Sequence, residues 1–167
     1  MKPHTHWMKM AIQMAYEAGK QGEAPFGCIL IFQDQLVASS GDKSIAYSDP
    51  SAHAELTLIS EYCQANQCIE LKGHTLYCTV EPCMMCCGAI HWARIDRVVF
   101  SVSQDQLKAF SKGKTKPTAD DLLNHDRQRV EVIGGILEAK GLEIWKTFGF
   151  ASKKVLHQMR YPKKSLK

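Results

Sequence analysis

The feature that most constrains the fold is an apolar run that ends in a proline and two cysteines three residues apart. Residues 75–80 have the composition of a buried strand, and Pro82, Cys83 and Cys86 follow directly. A strand that runs into a helix in this way places both thiols on one face of the first helical turn, where unpaired N–H groups stabilise thiolates. The stretch therefore predicts a strand-to-helix junction that carries a functional pair of cysteines.

A second polar stretch lies upstream, where Asp49 and Pro50 precede His53 and Glu55. Asp49 is expected to cap a helix whose first position is Pro50. His53 and Glu55 are two residues apart and do not share a helical face. They can reach one site only if that site lies off the first turn of the helix.

Together the two stretches supply His53, Cys83 and Cys86 as three ligands of the type that zinc takes, with the Glu55 carboxylate left over beside them. Three protein ligands leave the fourth tetrahedral position for water, which is typical of a catalytic zinc site. Cys87 is the one ambiguity, because it is also a helical neighbour of Cys83.

Two other interpretations of the cysteine pair remain open. A strand followed by C-x-x-C is also the thioredoxin-type setting, which would give a redox protein without zinc. A structural zinc module is the non-enzymatic alternative, although it has no use for Glu55 and would normally have four protein ligands. Cys63 and Cys68 have no partner at ligand spacing and are interpreted as buried or incidental thiols.

The H-x-E and P-C-x-x-C spacings are the signature of the zinc deaminases. Over residues 8–148 the chain resembles the cytidine deaminase-like superfamily and is similar to its guanine deaminase and tRNA adenosine deaminase branches. The stretches that carry this resemblance are 24–27, 49–55, 75–77, 81–86 and 88–94. The resemblance favours Cys86 over Cys87 as a ligand.

The resemblance implies a hydrolytic deaminase with one Zn²⁺ per chain that forms a homodimer. Zinc would lower the pKa of bound water to about 7. Glu55 is the candidate catalytic residue, taking a proton from that water, protonating the ring nitrogen and then passing a proton to the departing ammonia.

The candidate substrate-binding residues are Phe26, Asp42, Ala54 and Trp92. The resemblance places an asparagine where this chain has Asp42. An ionised aspartate only accepts hydrogen bonds, so it would prefer a base edge rich in N–H groups unless it is simply a turn residue. Phe26 is a candidate for stacking on a base, and is equally well explained as ordinary core of the first strand.

Trp92 is similar to the tryptophan-containing stretch of guanine deaminases, and a large aromatic there suits a closed pocket around a free base. The favoured substrate is therefore a free nucleobase or nucleoside, a purine such as guanine. A tRNA adenosine deaminase is the alternative, and a cytosine or cytidine deaminase is less favoured. The formal charge of +4 and the lysines of loop 111–118 and of the last residues permit a phosphate-backbone partner, but a solvated surface explains them as well.

Hydrophobic periodicity predicts one α/β domain with a mixed five-stranded sheet and helices on both faces, a three-layer α/β/α architecture. Strands are expected at 26–32, 36–39, 75–80, 97–102 and 130–133. Helices are expected at 6–19, from 50 through the His53 stretch, after Pro82, and at 104–110, 119–125 and 138–148. The deaminase domain is expected to occupy residues 1–150, and a basic C-terminal tail residues 151–167.

The cysteine content indicates where the protein works. Seven cysteines, an odd number scattered through strand-like and helix-like runs, argue against a secreted disulfide framework and for a reducing compartment. No apolar run approaches the length that crosses a bilayer, and the first residues lack the apolar centre of a secretion signal. A cytoplasmic location without membrane contact is therefore expected.

Overall fold

A five-stranded mixed sheet organises the chain, as the periodicity predicted. The computed structural model describes residues 2–107, 117–125 and 129–149. The strands are β1 (Gly27–Phe32), β2 (Gln35–Gly41), β3 (His74–Val80), β4 (Arg97–Val102) and β5 (Glu131–Ile133), in the order β2-β1-β3-β4-β5. β1 pairs antiparallel with β2 and β3, whereas β3, β4 and β5 run parallel. The carboxyl ends of the three parallel strands therefore share one edge of the sheet.

Helices cover both faces of this sheet. They are α1 (His4–Lys20), α2 (Ala54–Asn66), α3 (Met84–Trp92), α4 (Gln104–Leu107), α5 (Ala119–Leu123) and α6 (Glu138–Phe148). Alternate side chains of each strand point to opposite faces. Ile29, Tyr77 and Val99 pack against α1, while Leu30 and Leu76 pack against α2, α3 and α5. The three-layer α/β/α prediction is confirmed.

The hairpin between β1 and β2 turns through Gln33 and Asp34. Both residues have positive φ, 49° and 60°, as the central positions of a two-residue type I′ turn require. The Asp34 carboxylate accepts the backbone N–H of Lys2 at 3.0 Å. The turn is thus held in place by the segment that leads into α1.

Gly27 allows α1 to cross β1 at backbone contact. A Cβ atom built on Gly27 would lie 2.3 Å from the amide nitrogen of Ala15 and 2.5 Å from the carbonyl oxygen of Ala11. Only glycine leaves room for this approach, because the obstructing atoms belong to the backbone of α1. The crossing fixes the start of β1 and hence the position of Phe26.

Some expectations fall on residues that the structure does not describe. These are the end of the helix expected at 104–110, most of the basic loop 111–118, and the tail 151–167 with its lysines. The division into a domain ending at residue 150 and a separate tail stays a prediction. Within the described ranges, no helix is both long enough and apolar enough to cross a membrane.

Candidate metal centre and active site

The N-termini of α2 and α3 meet beyond the carboxyl end of β3. His53 is the N-cap residue of α2 and Cys83 is the N-cap residue of α3, and both have extended backbone. Glu55 lies in the first turn of α2, and Cys86 lies in the first turn of α3. The positive ends of two helix dipoles therefore point at this site, which favours ionised thiols and carboxylates there.

The expected start of α2 at Pro50 is wrong, because the helix begins at Ala54. The Asp49 carboxylate accepts hydrogen bonds from the backbone N–H of Ser51 at 2.8 Å and from its hydroxyl at 2.7 Å. Asp49 thus closes a turn instead of capping a helix. His53 itself has extended backbone as the N-cap residue, so it stands at the helix end and can meet the same site as Glu55.

The geometry of His53, Cys83 and Cys86 fits a tetrahedral zinc ion. The Cys83 and Cys86 sulfur atoms are 3.6 Å apart, and the Nδ1 atom of His53 is 3.7 Å from the first and 3.8 Å from the second. Two ligand atoms bound about 2.3 Å from a tetrahedral metal lie about 3.8 Å from each other. The three side chains could therefore hold one zinc ion, with the fourth direction left open.

The ambiguity between Cys86 and Cys87 is addressed by the same geometry. The Cys87 sulfur is buried and lies 3.5 Å from the carbonyl oxygen of Pro82, which its thiol can reach as a donor. Cys86, in contrast, is grouped with Cys83 and His53. This arrangement favours Cys86 as the ligand.

The pKa values of the two grouped thiols, Cys83 and Cys86, shift in opposite directions. The hydrogen bond that joins the Cys83 and Cys86 sulfur atoms, together with a smaller effect of the hydrogen bond with His53, lowers the pKa of Cys83 to about 3. The same hydrogen bond to Cys83, together with burial, raises the pKa of Cys86 above its usual range. Cys83 is therefore a thiolate at neutral pH even before a metal ion binds.

Glu55 is buried beside the three grouped side chains. Its Oε2 atom accepts a hydrogen bond from the Cys86 thiol at 3.6 Å, and 7% of the residue is exposed. Burial raises the pKa of Glu55 to about 7, and a metal ion in the group would lower it again. The carboxylate is thus close to the proposed metal without being one of the three grouped ligands, as proton transfer requires.

Phe26 and Ala54 also lie at this site. The Phe26 ring is nearly parallel to the His53 ring, with centroids 6.2 Å apart, and its edge packs on Trp145 at 5.0 Å. Ala54 is buried as the first residue of α2, where helix geometry gives the backbone N–H no intrahelical acceptor. Contact of Phe26 and Ala54 with a substrate base stays a prediction.

Asp42 and Trp92 are placed differently from these two. Asp42 is buried, and its Oδ1 atom accepts hydrogen bonds from the backbone N–H and the hydroxyl of Ser44. These contacts are those of a turn residue, which was the second interpretation of Asp42. Asp42 is nevertheless near enough to His53 for their charges to interact. Trp92 is 81% exposed in the last turn of α3 and does not enclose the metal group within one chain. Substrate binding by Asp42 or Trp92 stays a prediction.

Glu81 was not singled out from the sequence. It is buried, and its two carboxylate oxygens accept the backbone N–H groups of Ala119 at 2.7 Å and of Gln104 at 3.0 Å. The Gln104 side chain also donates to the carbonyl oxygen of Pro82 at 2.9 Å. One carboxylate therefore ties the starts of α4 and α5 to the junction that carries Cys83. The sequence feature that could have identified Glu81 is its position as an acidic residue between an apolar strand and Pro82.

Comparison with known proteins agrees with this site. Residues 1–102 match the model of the cytidine and deoxycytidylate deaminase zinc-binding region. A tRNA-specific adenosine deaminase of Agrobacterium fabrum is 32% identical over 89% of this chain and 95% of its own length.

Solved structures share the fold. A tRNA deaminase studied for A-to-I editing at the wobble position of transfer RNA superposes with a TM-score of 0.71 at 29% identity, covering 84% of this chain and 99% of its own. The guanine deaminase of Nitrosomonas europaea gives 0.78 at 18% identity, covering 89% of this chain and 85% of its own. The chain therefore belongs to the cytidine and deoxycytidylate deaminase family and is a zinc-dependent hydrolytic deaminase.

Proposed function

We propose that this deaminase converts adenosine to inosine within a tRNA loop. From the sequence alone a free purine such as guanine is favoured, and the tRNA substrate is the alternative. The observation that carries the proposal is the similarity to a tRNA-specific adenosine deaminase along 95% of that relative's length. The guanine deaminase of Nitrosomonas europaea shares only 18% identity, which supports the common fold and not the substrate.

The exposure of the metal group supports the same choice. His53 and Cys83 are both only partly buried, so the metal group opens towards the surface. An open site suits a base that is splayed out of a tRNA loop and inserted from outside.

The residues at the site would divide the chemistry between them. His53, Cys83 and Cys86 would hold zinc, which when bound makes water a nucleophile at neutral pH. Glu55 would move one proton to the ring nitrogen beside the attacked carbon and another to the departing amino group. Adenosine and water then give inosine and ammonia. Phe26, next to His53, would contact the face of the base.

The substrate is tested by measuring ammonia release from the zinc-loaded chain across a panel of free and RNA-borne substrates. The panel contains guanine, adenine, cytosine, their nucleosides, and a tRNA anticodon stem-loop with adenosine at the target position. We expect turnover of the stem-loop, with kcat/KM at least about 100-fold above that for any free base or nucleoside, because remote contacts contribute to transition-state binding. A stem-loop with guanosine at the target position is the matched control. Turnover of guanine at a rate equal to that of the stem-loop would contradict the proposal.

We also propose that a second copy of the chain covers an exposed apolar face of α3. Met84, Met85 and Trp92 are 61%, 37% and 81% exposed, and their spacing brings them to one side of the helix. Light scattering on the purified protein should give twice the mass of one chain, and Trp92→Glu should shift the mass towards one chain. A single-chain mass for the unaltered protein at assay concentrations would overturn this assignment.

A cytoplasmic location stays the prediction made from the sequence. All seven cysteines are free thiols, which supports a reducing compartment.

A further inference from the structure

Two cysteines outside the metal group come together at the far end of α2. Cys63 lies in the last turns of the helix, and Cys68 lies just beyond its end. Both are half-buried free thiols that pack against the core between α2 and the sheet. His53 and Glu55 lie at the opposite end of the same helix, so this pair is separate from the metal centre.

The contact between them follows from how the helix ends. The backbone N–H of Cys68 donates to the carbonyl oxygen of Cys63 at 3.1 Å, and that of Gln67 donates to Gln64 at 3.3 Å. Gln67 has left-handed backbone, with φ of 52°. These are the two hydrogen bonds of the Schellman motif, which brings the first and last residues of the turn into side-chain contact. In most helices this contact is between apolar groups, whereas here both groups are thiols.

The two thiols lie close to each other. Burial raises the pKa of Cys63, and the nearby Cys68 side chain raises it further. Among the other five cysteines, Cys83 and Cys86 belong to the metal group, and Cys28, Cys78 and Cys87 are buried. A small oxidant that diffuses to the surface therefore meets Cys63 and Cys68 as the accessible thiols that a metal ion would not protect.

We propose that Cys63 and Cys68 form a reversible intrachain disulfide that closes the C-terminal turn of α2. The oxidant we assign is a low-molecular-weight disulfide such as oxidised glutathione. One cysteine thiolate attacks a sulfur of that disulfide, forming a mixed disulfide and releasing one glutathione thiolate. The second cysteine gives up its proton and attacks the protein sulfur of the mixed disulfide, which releases the second glutathione. Two protein thiols are thereby oxidised by two electrons, and one glutathione disulfide is reduced to two thiols.

The experiment treats the zinc-loaded full chain with oxidised glutathione, alkylates the remaining thiols, and maps the products by mass spectrometry after trypsin digestion. Cys63 and Cys68 both lie in the tryptic peptide 44–72. We expect this peptide to lose the mass of the two thiol hydrogens and to carry neither alkyl group nor glutathione. Reduction before alkylation should restore two alkylated cysteines.

Single-cysteine variants supply the matched controls. In Cys63→Ala and in Cys68→Ala the second step is impossible, so the remaining cysteine should keep a bound glutathione or be alkylated. Peptide 44–72 of the unaltered protein with two alkyl groups or two glutathiones would overturn the proposal. The outcome is scored by mass alone and does not depend on the substrate of the deaminase.

The turn geometry can be tested with both thiols present. Gln67→Gly should form the disulfide as readily as the unaltered protein, because glycine accepts positive φ without strain. Gln67→Pro fixes φ near –65°, which the left-handed turn cannot accommodate, so mixed disulfides should replace the internal one. Equal internal linkage in the folded glycine and proline variants would contradict a role for the turn.

Discussion

Replacing Glu55 with alanine is expected to abolish deamination while the chain still binds about one zinc ion. The three grouped donors belong to His53, Cys83 and Cys86, so the substitution removes none of them. It does remove the carboxylate that lies 3.6 Å from the Cys86 sulfur and that would carry protons between water, ring nitrogen and amino group. General acid–base catalysis contributes about 10²- to 10⁴-fold, and Glu55 would serve two transfers, so kcat should fall by at least about 10⁴-fold.

The matched control for this variant is Glu61→Gln on the same helix. Glu61 forms an ion pair with Lys43 at 2.8 Å, and its side chain is half exposed. Such surface pairs contribute little to stability, so activity and zinc content should both remain near those of the unaltered protein. Zinc is measured by atomic emission and activity by ammonia release from the preferred substrate of the panel. Full activity in Glu55→Ala would overturn the assignment of this carboxylate as the proton carrier.

The sheet could be predicted from the sequence because a strand buried on both faces has a recognisable local pattern of apolar residues. The side chains at 29 and 31 face one layer of helices, and those at 28 and 30 face the other. A strand that is covered on both faces has a nearly continuous apolar sequence, and residues 26–32 form such a run. The metal donors were predictable because His53, Cys83 and Cys86 have the spacing of the zinc deaminase signature, whereas helical spacing alone left Cys87 as an alternative.

The start of α2 was mispredicted because two local structures compete for the same residues. Asp49 followed by Pro50 suits a helix N-terminus, but Asp49 is equally able to close a turn onto Ser51. The turn forms, with hydrogen bonds of 2.8 and 2.7 Å. His53 meets Cys83, which is 30 positions away, and no local pattern predicts this contact.

Glu81 and Trp92 show why the surroundings of the site were harder to predict than its donors. The partners of Glu81 lie 23 and 38 residues further along the chain, so no local pattern identifies them. Trp92 occupies a helix position whose direction depends on how α3 is rotated against the sheet. Its 81% exposure therefore emerges only from the packed structure.

Replacing Cys86 with alanine is expected to remove zinc and activity together. The substitution leaves His53 and Cys83 as a two-donor site, too few to hold the ion firmly, and zinc content should fall to below about a tenth of one ion per chain. Because zinc binding stabilises only the folded state, the variant should also lose the rise in Tm that zinc gives the unaltered protein.

The neighbouring variant Cys87→Ala distinguishes loss of a ligand from loss of a buried thiol. The Cys87 sulfur is buried against the carbonyl oxygen of Pro82 and lies outside the grouped donors. Truncating it should cost about 1 to 2 kcal/mol of unfolding free energy through lost packing, with zinc content and kcat retained. Zinc content and Tm with and without the metal are compared for both variants. If Cys87→Ala lost zinc while Cys86→Ala kept it, the ligand set would have to be reassigned to His53, Cys83 and Cys87, the alternative that helical spacing alone allows.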